Sequence, residues 1–466
     1  MKSIYKLLLT GFLSVLLFSC YKDDTNNGTN PISEIKVAFT NIEDQVNLDK
    51  NEVLTIDPVI TQNNGDKDLS YEWQIDYKTF STEKKLVYPC SKLGKYFIRL
   101  KVTNADGSAF KSFNLNVNSP YEEGVMVLGE DAQGEGTLAF MRKYSTADIA
   151  AGKQEQFVNN LFTLNNPGEK IGKGPSDVMK RLKQVMISSS KEQKIYYLND
   201  KTFEIEAVIT APDLPDFKPV AMNVPDAAFR TVPILCENGK VFQLALLENL
   251  VMATTRYPQN VINKTTFGND FNDNFNYFWD PSKSQIVQVS GYYSTSSLTH
   301  FASEELVSFF FSSPSFYVIT RDKLTQSIYT KTVFSNYIQN VSTKALNIKE
   351  NAVLSVSGTP ALNPQSPTLV NNSLKKLFYA QGSSVYSWFF TGTSMNTTPF
   401  ITVDKGIVTS IEQNPTGSEI YVGVYDAAAT GLKGSVYVYN ADNGSLIKKY
   451  QGVCDKPVKV FYKKKS

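Results

Sequence analysis

The feature that most constrains the fold is a hairpin unit that recurs through most of the chain. Each unit has an apolar and aromatic strand, a short polar loop and a second such strand. The starts of the units lie roughly 40 residues apart in four cases and roughly 60 to 70 in the other two, as propeller blades with insertions do. The seven hairpins join Val125–Leu128 to Thr137–Phe140, Ile195–Leu198 to Phe203–Ile205, Val232–Leu235 to Val241–Leu244, Tyr277–Trp279 to Ile286–Val289, Phe316–Ile319 to Ser327–Tyr329, Leu377–Tyr379 to Val385–Trp388, and Ile420–Gly423 to Val436–Tyr439. The repeat predicts an all-β chain with a seven-bladed β-propeller over residues 120–466, whereas stacked sandwiches would not explain so short a period.

The last repeat predicts how a complete blade is built. Ile407–Ile411 forms its inner strand, the hairpin follows, and Leu446–Tyr450 forms its outer strand. The first hairpin begins too soon after the preceding domain to have an inner strand of its own. Val458–Tyr462 has strand character and lies beyond the last blade, so we expect it to close the ring. The segment Asp177–Val185 is the best candidate for a helix.

Residues 32–118 show a different pattern, that of a small β-sandwich. Ile35–Phe39 and Val53–Ile56 read as short strands, and in Tyr71–Ile75 the apolar side chains alternate with polar ones. The strand Gly94–Thr103 repeats this alternation, and a turn returns the chain through Phe113. The pattern predicts an immunoglobulin-like sandwich.

The strand with Tyr71, Glu72 and Trp73, followed by Gly94-x-Tyr96-x-x-x-Leu100-x-Val102-x-Asn104-x-x-Gly107, resembles a PKD-like domain. The acidic loop that commonly follows the tryptophan strand in that family is missing here. The resemblance implies that this domain acts as a spacer, with Trp73 and Tyr96 in its core.

The N-terminus predicts export and a lipid anchor. Lys2 and Lys6 precede an apolar run that ends at Ser19 and Cys20 and is too short to span a membrane, so residues 1–19 read as a signal peptide. Leu17–Cys20 resembles a bacterial lipobox, in which the cysteine receives the lipid, although Phe18 is bulkier than the usual residue. The acidic residues that follow resemble the surface-export signal of Bacteroidetes-type lipoproteins. Residues 20–31 then form a flexible tether.

Composition excludes several classes of function. The chain has 47 basic and 45 acidic residues, so it lacks the concentrated basic face of a nucleic-acid binder. One histidine, His300, and four cysteines argue against His- and Cys-based metal sites or histidine general bases. The remaining cysteines, Cys90, Cys236 and Cys454, have no disulfide spacing and are expected to be buried.

No nucleotide-binding, serine-hydrolase or cofactor motif occurs, so no catalytic residue, metal or cofactor is assigned. The segment Asn269–Asn274 offers oxygen ligands for calcium but lacks the spacing of an EF-hand, which favours a solvated loop. Paired carboxylates of a glycoside hydrolase remain open, because their separation is spatial.

The candidate ligand site lies on the loops that join the two middle strands of each blade, since these loops meet on one face of a propeller. They include residues 129–136, 280–283 and 426–433. Glu130 and Asp131 could present carboxylates to hydroxyls or amines, and Trp279 and Asp280 place an aromatic plane beside a carboxylate. The competing interpretation places Trp279 in the core between blades and treats the loops as solvated turns.

The lipid, the export signal, the spacer and the repetitive β domain together resemble accessory surface lipoproteins associated with SusC/SusD-type outer-membrane nutrient importers. The resemblance implies an outer-membrane protein facing the exterior, held by its lipid alone, that captures an oligosaccharide or oligopeptide for the importer. Two alternatives stay open: a surface hydrolase with Asp or Glu catalytic residues in the propeller, and a structural subunit of the importer complex that binds no nutrient.

Overall fold

A computed structural model describes residues 31–222, 231–255, 257–261, 267–270, 275–290, 295–298, 301–312, 315–334, 348–353 and 361–465. The signal segment, Cys20, the tether, His300 and most of the Asn269–Asn274 loop lie outside these residues. The described chain divides into two compact units, one ending at Ser119 and the other beginning at Pro120. Among the described residues, no helix is long and apolar enough to cross a membrane.

The first unit is a β-sandwich of short strands. Its strands are β1 (Ile35–Ala38), β2 (Gln45–Asp49), β3 (Val53–Ile56), β4 (Val59–Gln62), β5 (Ser70–Ile75), β6 (Lys78–Ser81), β7 (Leu86–Pro89), β8 (Gly94–Asn104) and β9 (Gly107–Asn118). Five of them form a sheet in the order β2-β9-β8-β5-β6, and β1 pairs with β4 and β3 with β7. Trp73 is fully buried, stacks on Phe39 and donates a hydrogen bond from Nε1 to the Lys84 carbonyl at 3.1 Å. The predicted strands and the core position of Trp73 are confirmed.

The described residues of the second unit contain seven four-stranded antiparallel sheets. Blade 1 contains β10 (Gly124–Glu130), β11 (Gly136–Arg142), β12 (Phe157–Val158) and β37 (Lys456–Lys463), with the short helices α1 (Thr146–Ala150) and α2 (Leu161–Asn165). Blade 2 contains β13 (Pro175–Arg181), β14 (Gln184–Ser189), β15 (Lys194–Asn199) and β16 (Ile205–Thr210). Blade 3 contains β17 (Pro219–Met222), β18 (Thr231–Cys236), β19 (Val241–Ala245) and β20 (Leu250–Met252).

The other four sheets follow in chain order. Blade 4 contains β21 (Phe267–Asp270), β22 (Phe275–Asp280), β23 (Gln285–Ser290) and β24 (Thr295–Leu298). Blade 5 contains β25 (Glu304–Ser312), β26 (Ser315–Asp322), β27 (Ile328–Phe334) and β28 (Ile348–Val353). Blade 6 contains β29 (Thr368–Asn371), β30 (Lys376–Gln381), β31 (Ser384–Phe389) and β32 (Ile401–Thr402). Blade 7 contains β33 (Ile407–Gln413), β34 (Glu419–Tyr425), β35 (Gly434–Asn440) and β36 (Leu446–Cys454).

The apolar clusters show how these sheets are arranged. Each cluster combines side chains of two consecutive blades, and the last one joins blade 7 to blade 1 through Tyr421, Val436, Val125 and Val127. Because side chains alternate across a strand, neighbouring residues of one strand serve different clusters: Met126 packs toward blade 2 and Val127 toward blade 7. The second unit is therefore a β-propeller, as predicted.

Strand β37 closes the ring, as the sequence predicts. It pairs with β10 in antiparallel register from Gly124↔Lys463 to Glu130↔Lys456. The fully buried Lys463 donates from Nζ to the carbonyls of Tyr121 and Glu122 at 2.7 and 2.8 Å. Burial lowers the pKa of this ammonium to about 8.

The predicted helix over Asp177–Val185 is wrong, because this segment forms most of the β13–β14 hairpin. Leu182 occupies the two-residue turn with φ of 50°, a conformation for which leucine gives no sequence signal. Nearly all residues of both strands are buried, and this packing outweighs any helical preference. The hairpin predicted at Ile195–Leu198 consequently joins the third and fourth strands of blade 2, whereas the other six join second and third strands.

Deletion of the chain from Pro457 onward should lower the free energy of unfolding by several kcal/mol, or about the cost of losing several buried apolar side chains. The lost residues include Val460, which is 1% exposed in the cluster between blades 7 and 1. Chemical denaturation measures the change. Deletion from Lys464 onward, which leaves β37 intact, is the matched control, and equal stability of the two truncated proteins would contradict closure by β37.

Candidate functional site

The loops between second and third strands lie at one end of the propeller, which we call the 2–3 face. The connections that enter the next blade reach the same end, because successive strands are antiparallel. Backbone hydrogen bonds join the two kinds of segment: Gly136 donates to Gly172, Lys323 to Ser303, and Val408 to Gly382. Such bonds thus link loops to neighbouring connections at three places on the described part of the 2–3 face.

The carboxylates that begin these loops mostly cap turns. Asp131 Oδ1 accepts from the backbone N–H groups of Gln133 and Glu135 at 2.9 and 2.8 Å. Asp322 Oδ1 in blade 5 and Asp426 Oδ1 in blade 7 accept backbone N–H groups two residues on in the same way. This arrangement is an Asx-turn, in which the aspartate side chain accepts a backbone N–H two residues on. It explains why aspartate recurs at the start of these loops.

Glu130, Trp279 and Asp280 also have structural partners. Glu130 Oε2 lies 3.4 Å from Lys456 Nζ across the β10–β37 pair. Trp279 is 2% exposed and packs edge-on against Phe301 at 5.4 Å, in the cluster between blades 4 and 5. The Trp279 ring is therefore not presented to solvent. The predicted pair Glu130 and Asp131 belongs to blade 1, and the pair Trp279 and Asp280 belongs to blade 4. Their role in ligand binding stays a prediction.

Asp280 is buried, and its carboxylate accepts four hydrogen bonds. Its Oδ1 accepts from the Ser282 N–H at 3.0 Å, the Ser282 hydroxyl at 2.6 Å and Asn260 Nδ2 at 3.1 Å, and Oδ2 accepts from Gln285 at 3.4 Å. Burial alone would raise the pKa of this carboxyl, but the hydrogen bonds outweigh burial and lower it. Asp280 thus fixes the β22–β23 turn and joins it to the segment entering blade 4.

A cleft on the 2–3 face belongs to blade 7 and has a volume of about 810 Å³. We call it the blade 7 cleft. It is formed by the loop 426–433, one of the three loops singled out from the sequence, together with the connection from blade 6 and the end of β36. Its lining residues are Lys405, Gly406, Val424, Asp426, Ala428, Ala429, Thr430, Leu432, Ser435, Tyr437, Gln451 and Gly452.

Local backbone geometry shapes this cleft. Asp426 donates its N–H to the Lys433 carbonyl at 2.9 Å, which closes the neck of the loop. Gly406 has a φ of 75°, and a Cβ there would lie 2.3 Å from the Tyr425 carbonyl oxygen. Only glycine fits this close approach, so the connection from blade 6 can run against β34 at the edge of the cleft.

An ion pair of Asp404 and Lys449 lies beside Tyr437, which lines the cleft. Asp404 accepts a hydrogen bond from Lys449 Nζ at 2.6 Å, and this ammonium lies 4.7 Å from the centre of the Tyr437 ring. The Lys449 hydrogen bond lowers the pKa of Asp404, while burial and the Asp404 carboxylate raise the pKa of Tyr437. Lys405, Thr430, Ser435 and Gln451 supply polar groups around apolar Val424 and Leu432. Such a lining suits a polar ligand with apolar patches, as sugars and peptides have.

A second cleft on the same face, of about 680 Å³, lies in blade 3 between the segments around Asp216, Lys240 and Thr254. Lys240 Nζ forms an ion pair with Asp216 across it. Among the described residues, no cluster of three or more His, Cys, Asp or Glu side chains could hold a metal ion. The three described cysteines are buried and unpaired.

A family model matches the N-terminal part of the chain. Residues 20–175 match the model of the PKD-like family, so a PKD-like domain is present and the match continues into blade 1. No curated protein matches the sequence.

Solved structures resemble the chain in fold. A quinonprotein alcohol dehydrogenase-like protein from Bacteroides thetaiotaomicron is 13% identical, with a TM-score of 0.52 over 90% of this chain and 96% of that one. Hydrazine synthase from Kuenenia stuttgartiensis is 9% identical, with a TM-score of 0.43 over 63% and 93%. AztD from Citrobacter koseri is 9% identical, with a TM-score of 0.38 over 84% and 97%. At such identities, the first likeness concerns the fold alone.

Replacement of Asp280 by Asn should lower the free energy of unfolding at neutral pH by about 1–3 kcal/mol, because a buried, charge-assisted set of hydrogen bonds is weakened. The folded pKa of Asp280 is below its unfolded value, so its stabilisation is present above about pH 4 and is lost as the pH falls through the folded pKa. Unfolding measured against pH should therefore show a shallower acid slope in Asp280→Asn than in the parent. The exposed Asp213→Asn serves as control, and parallel slopes in Asp280→Asn and the parent would contradict this role.

Proposed function

We propose that the protein is a ligand-capturing β-propeller displayed on the cell surface by an N-terminal lipid, as an accessory to a SusC/SusD-type outer-membrane importer. In this proposal, the captured ligand binds in the blade 7 cleft. Its volume accommodates several sugar or amino-acid units, and its polar groups surround a small apolar floor. The ligand class proposed is an oligosaccharide or oligopeptide.

The lipid anchor supports the same function in physical terms. A domain tethered beside a transporter holds its ligand at a high effective concentration near the entrance, without any need for tight binding. A flexible tether of about a dozen residues and a PKD-like spacer would carry the propeller away from the membrane. Recovery of a SusC/SusD-type importer with the protein from detergent-solubilised outer membranes tests the partnership, and its absence would argue against it.

Replacement of Ala428 by Trp should weaken binding of a captured ligand at least about tenfold, because the indole would fill the blade 7 cleft. Ala427 lies in the same exposed loop but does not line the cleft, so Ala427→Trp is the matched control. Binding of glycan and peptide mixtures to the full chain in detergent identifies the ligand, and separate analysis of released products detects hydrolysis. Equal binding by both variants would exclude this cleft, and product release would favour the hydrolase.

Replacement of Cys20 by Ala should release the protein from the membrane into the soluble periplasmic fraction, because the lipid attachment point is removed. Replacement of Asp23 and Asp24 by Asn should instead leave the protein anchored but protected from protease added to intact cells. Membrane fractionation and protease shaving measure the two effects. A Cys20→Ala variant that still sediments with membranes would contradict the lipid anchor.

A further inference from the structure

The outward face of the five-stranded sheet in the first unit carries a cluster of aromatic side chains. Alternate residues of β5, β8 and β9, such as Trp73, Leu100 and Leu115, are buried in the sandwich core, so the intervening residues point outward. Of the paired outward positions in this sheet, two hold phenylalanine, Phe97 and Phe110. The others hold amide, hydroxyl or charged side chains, and none is aliphatic.

A third ring comes from the turn between β5 and β6. Tyr77 stacks on Phe97, with ring centroids 5.1 Å apart and 27° between the ring planes. Arg99 Cζ lies 5.1 Å from the centre of the Tyr77 ring and also 5.1 Å from that of Phe110, so the two rings are at most twice 5.1 Å apart. Tyr77 is 67% exposed and Phe110 is 54% exposed. We call Tyr77, Phe97, Arg99 and Phe110 the aromatic platform.

The guanidinium between the two exposed rings is held in place. Arg99 donates from Nε and from Nη2 to Gln74 Oε1, the first at 2.9 Å, and Gln74 Nε2 donates to Glu72 Oε1 at 2.8 Å. Arg99 Nη1 has no hydrogen-bond acceptor among the described residues. A fixed pair of N–H donors therefore lies between two exposed aromatic rings.

The backbone at Tyr77 is strained. Asp76 and Tyr77 form the two-residue turn between β5 and β6, with φ of 49° and 65°. Such turns prefer glycine at the second position, because a bulky side chain in the left-handed region costs about 1–2 kcal/mol. Packing offsets little of this cost, since two thirds of the residue is exposed. The turn would be more stable with glycine, and strain of this kind is concentrated at binding sites.

Charges of both signs are mixed on and beside the platform. Glu72 Oε2 lies 4.0 Å from Lys101 Nζ, and hydrogen bonds from Gln74 and Thr79 lower the pKa of its carboxyl. Neither sign dominates, so the face is complementary to an uncharged ligand and not to an anion. The outward basic residues of the sheet are Lys95, Arg99 and Lys101, and the acidic ones are Asp49 and Glu72, with Glu43 and Asp76 in the adjoining loops.

From these groups we infer that the aromatic platform binds an uncharged polysaccharide. The C–H faces of two sugar rings stack on the exposed rings of Tyr77 and Phe110, and Arg99 Nη1 donates to a sugar oxygen between them. The amides of Asn114 and Gln45, which lie next to Phe97 in the sheet register, bond to further hydroxyls. The site belongs to the first unit and does not depend on the function proposed for the blade 7 cleft.

A protein partner fits this face less well than a sugar chain. A protein interface would bury the amides, hydroxyls and charged groups around the platform, and the face has no aliphatic side chains to offset their desolvation. A polysaccharide replaces water at these groups with its own hydroxyls and still covers the aromatic rings.

Affinity electrophoresis of the full chain in detergent tests the inference. The gels contain mixed-linkage β-glucan, galactomannan, arabinoxylan or amylopectin as neutral polysaccharides, and polygalacturonate or gelatin as anionic and peptide comparators. At least one neutral polysaccharide should retard the protein, with an apparent Kd at least about tenfold lower than that of either comparator. No retardation by the four neutral polysaccharides, or equal retardation by a comparator, would overturn the assignment.

The Ala428→Trp protein, in which the indole fills the blade 7 cleft, separates the two sites. It should be retarded by the polysaccharide as the parent is. Loss of retardation in this variant, with unchanged thermal unfolding, would place the polysaccharide in the cleft. That result would overturn the platform site and leave the proposed function standing.

Substitutions made in the Ala428→Trp protein locate the site on the platform. Phe110→Thr should weaken binding at least about threefold, the loss expected for one stacked ring. Phe80→Thr is the matched control, because Phe80 is an exposed ring of the same unit that packs edge-on against Tyr88 outside the platform. It should leave binding unchanged, and equal binding by the two variants would overturn the proposal.

Tyr77 provides a test that distinguishes binding from folding. Tyr77→Gly should weaken binding at least about threefold, while thermal unfolding occurs at no lower a temperature than in the parent, because glycine adopts this φ without strain. Tyr77→Phe retains the ring and should bind the polysaccharide as the parent does. Equal binding by Tyr77→Gly and Tyr77→Phe would exclude the platform as the site.

Discussion

The pairing of β37 with β10 is the interaction on which the rest of the propeller depends. Each blade buries both faces, so Val125 and Val127 need blade 7 as much as Met126 and Leu128 need blade 2. An open end would leave one of these faces in water and one sheet edge unpaired, which is costly and prone to aggregation. The pairing joins residues more than three hundred positions apart, and Lys463, held by two backbone carbonyls, ties its end to the segment that enters blade 1. Closure thereby couples all the inter-blade clusters.

Sequence reasoning located most of the strands because the signal for a propeller hairpin is local. Second and third strands are apolar, aromatic and joined by short polar turns, so six of the seven hairpins have the predicted position within their blades. Blade 2 was predicted wrongly where this signal fails: the β13–β14 turn contains Leu182 and no Gly, Asn or Pro, and Asp177, Lys180 and Arg181 are polar although they are buried. Asp177 is stabilised there by Lys459 from β37 and by the backbone N–H of Met222 from blade 3. Partners so distant in sequence leave no local pattern.

The candidate site was less predictable, for a related reason. A carboxylate at the start of a loop can bind a ligand or stabilise the loop itself. Asp131 and Asp280 stabilise their loops, because their oxygens accept hydrogen bonds from nearby N–H groups. The loop 426–433 was recognisable by its length, but the other walls of its cleft were not. Lys405, Ser435 and Gln451 come from three segments that only the strand register of blades 6 and 7 brings together. Residue types in the sequence show which functional groups are present, but strand register determines which of these groups lie close together.

A cavity of about 260 Å³ between the ends of β33, β37 and β13 follows directly from the way the ring closes. In blade 7, the tight turn Asn414–Gly417 joins the first strand to the second and covers the end of both, with Asn414 Oδ1 accepting the N–H groups of Ser418 and Glu419. Blade 1 has no such turn, because β37 and β10 are joined through the whole propeller and not through a hairpin. The space that a turn would fill lies beside Tyr462 and Lys464, where the cavity opens against blades 7 and 2. A closure strand from the far end of the chain thus completes the core and, at the same seam, brings residues of three blades around one cavity.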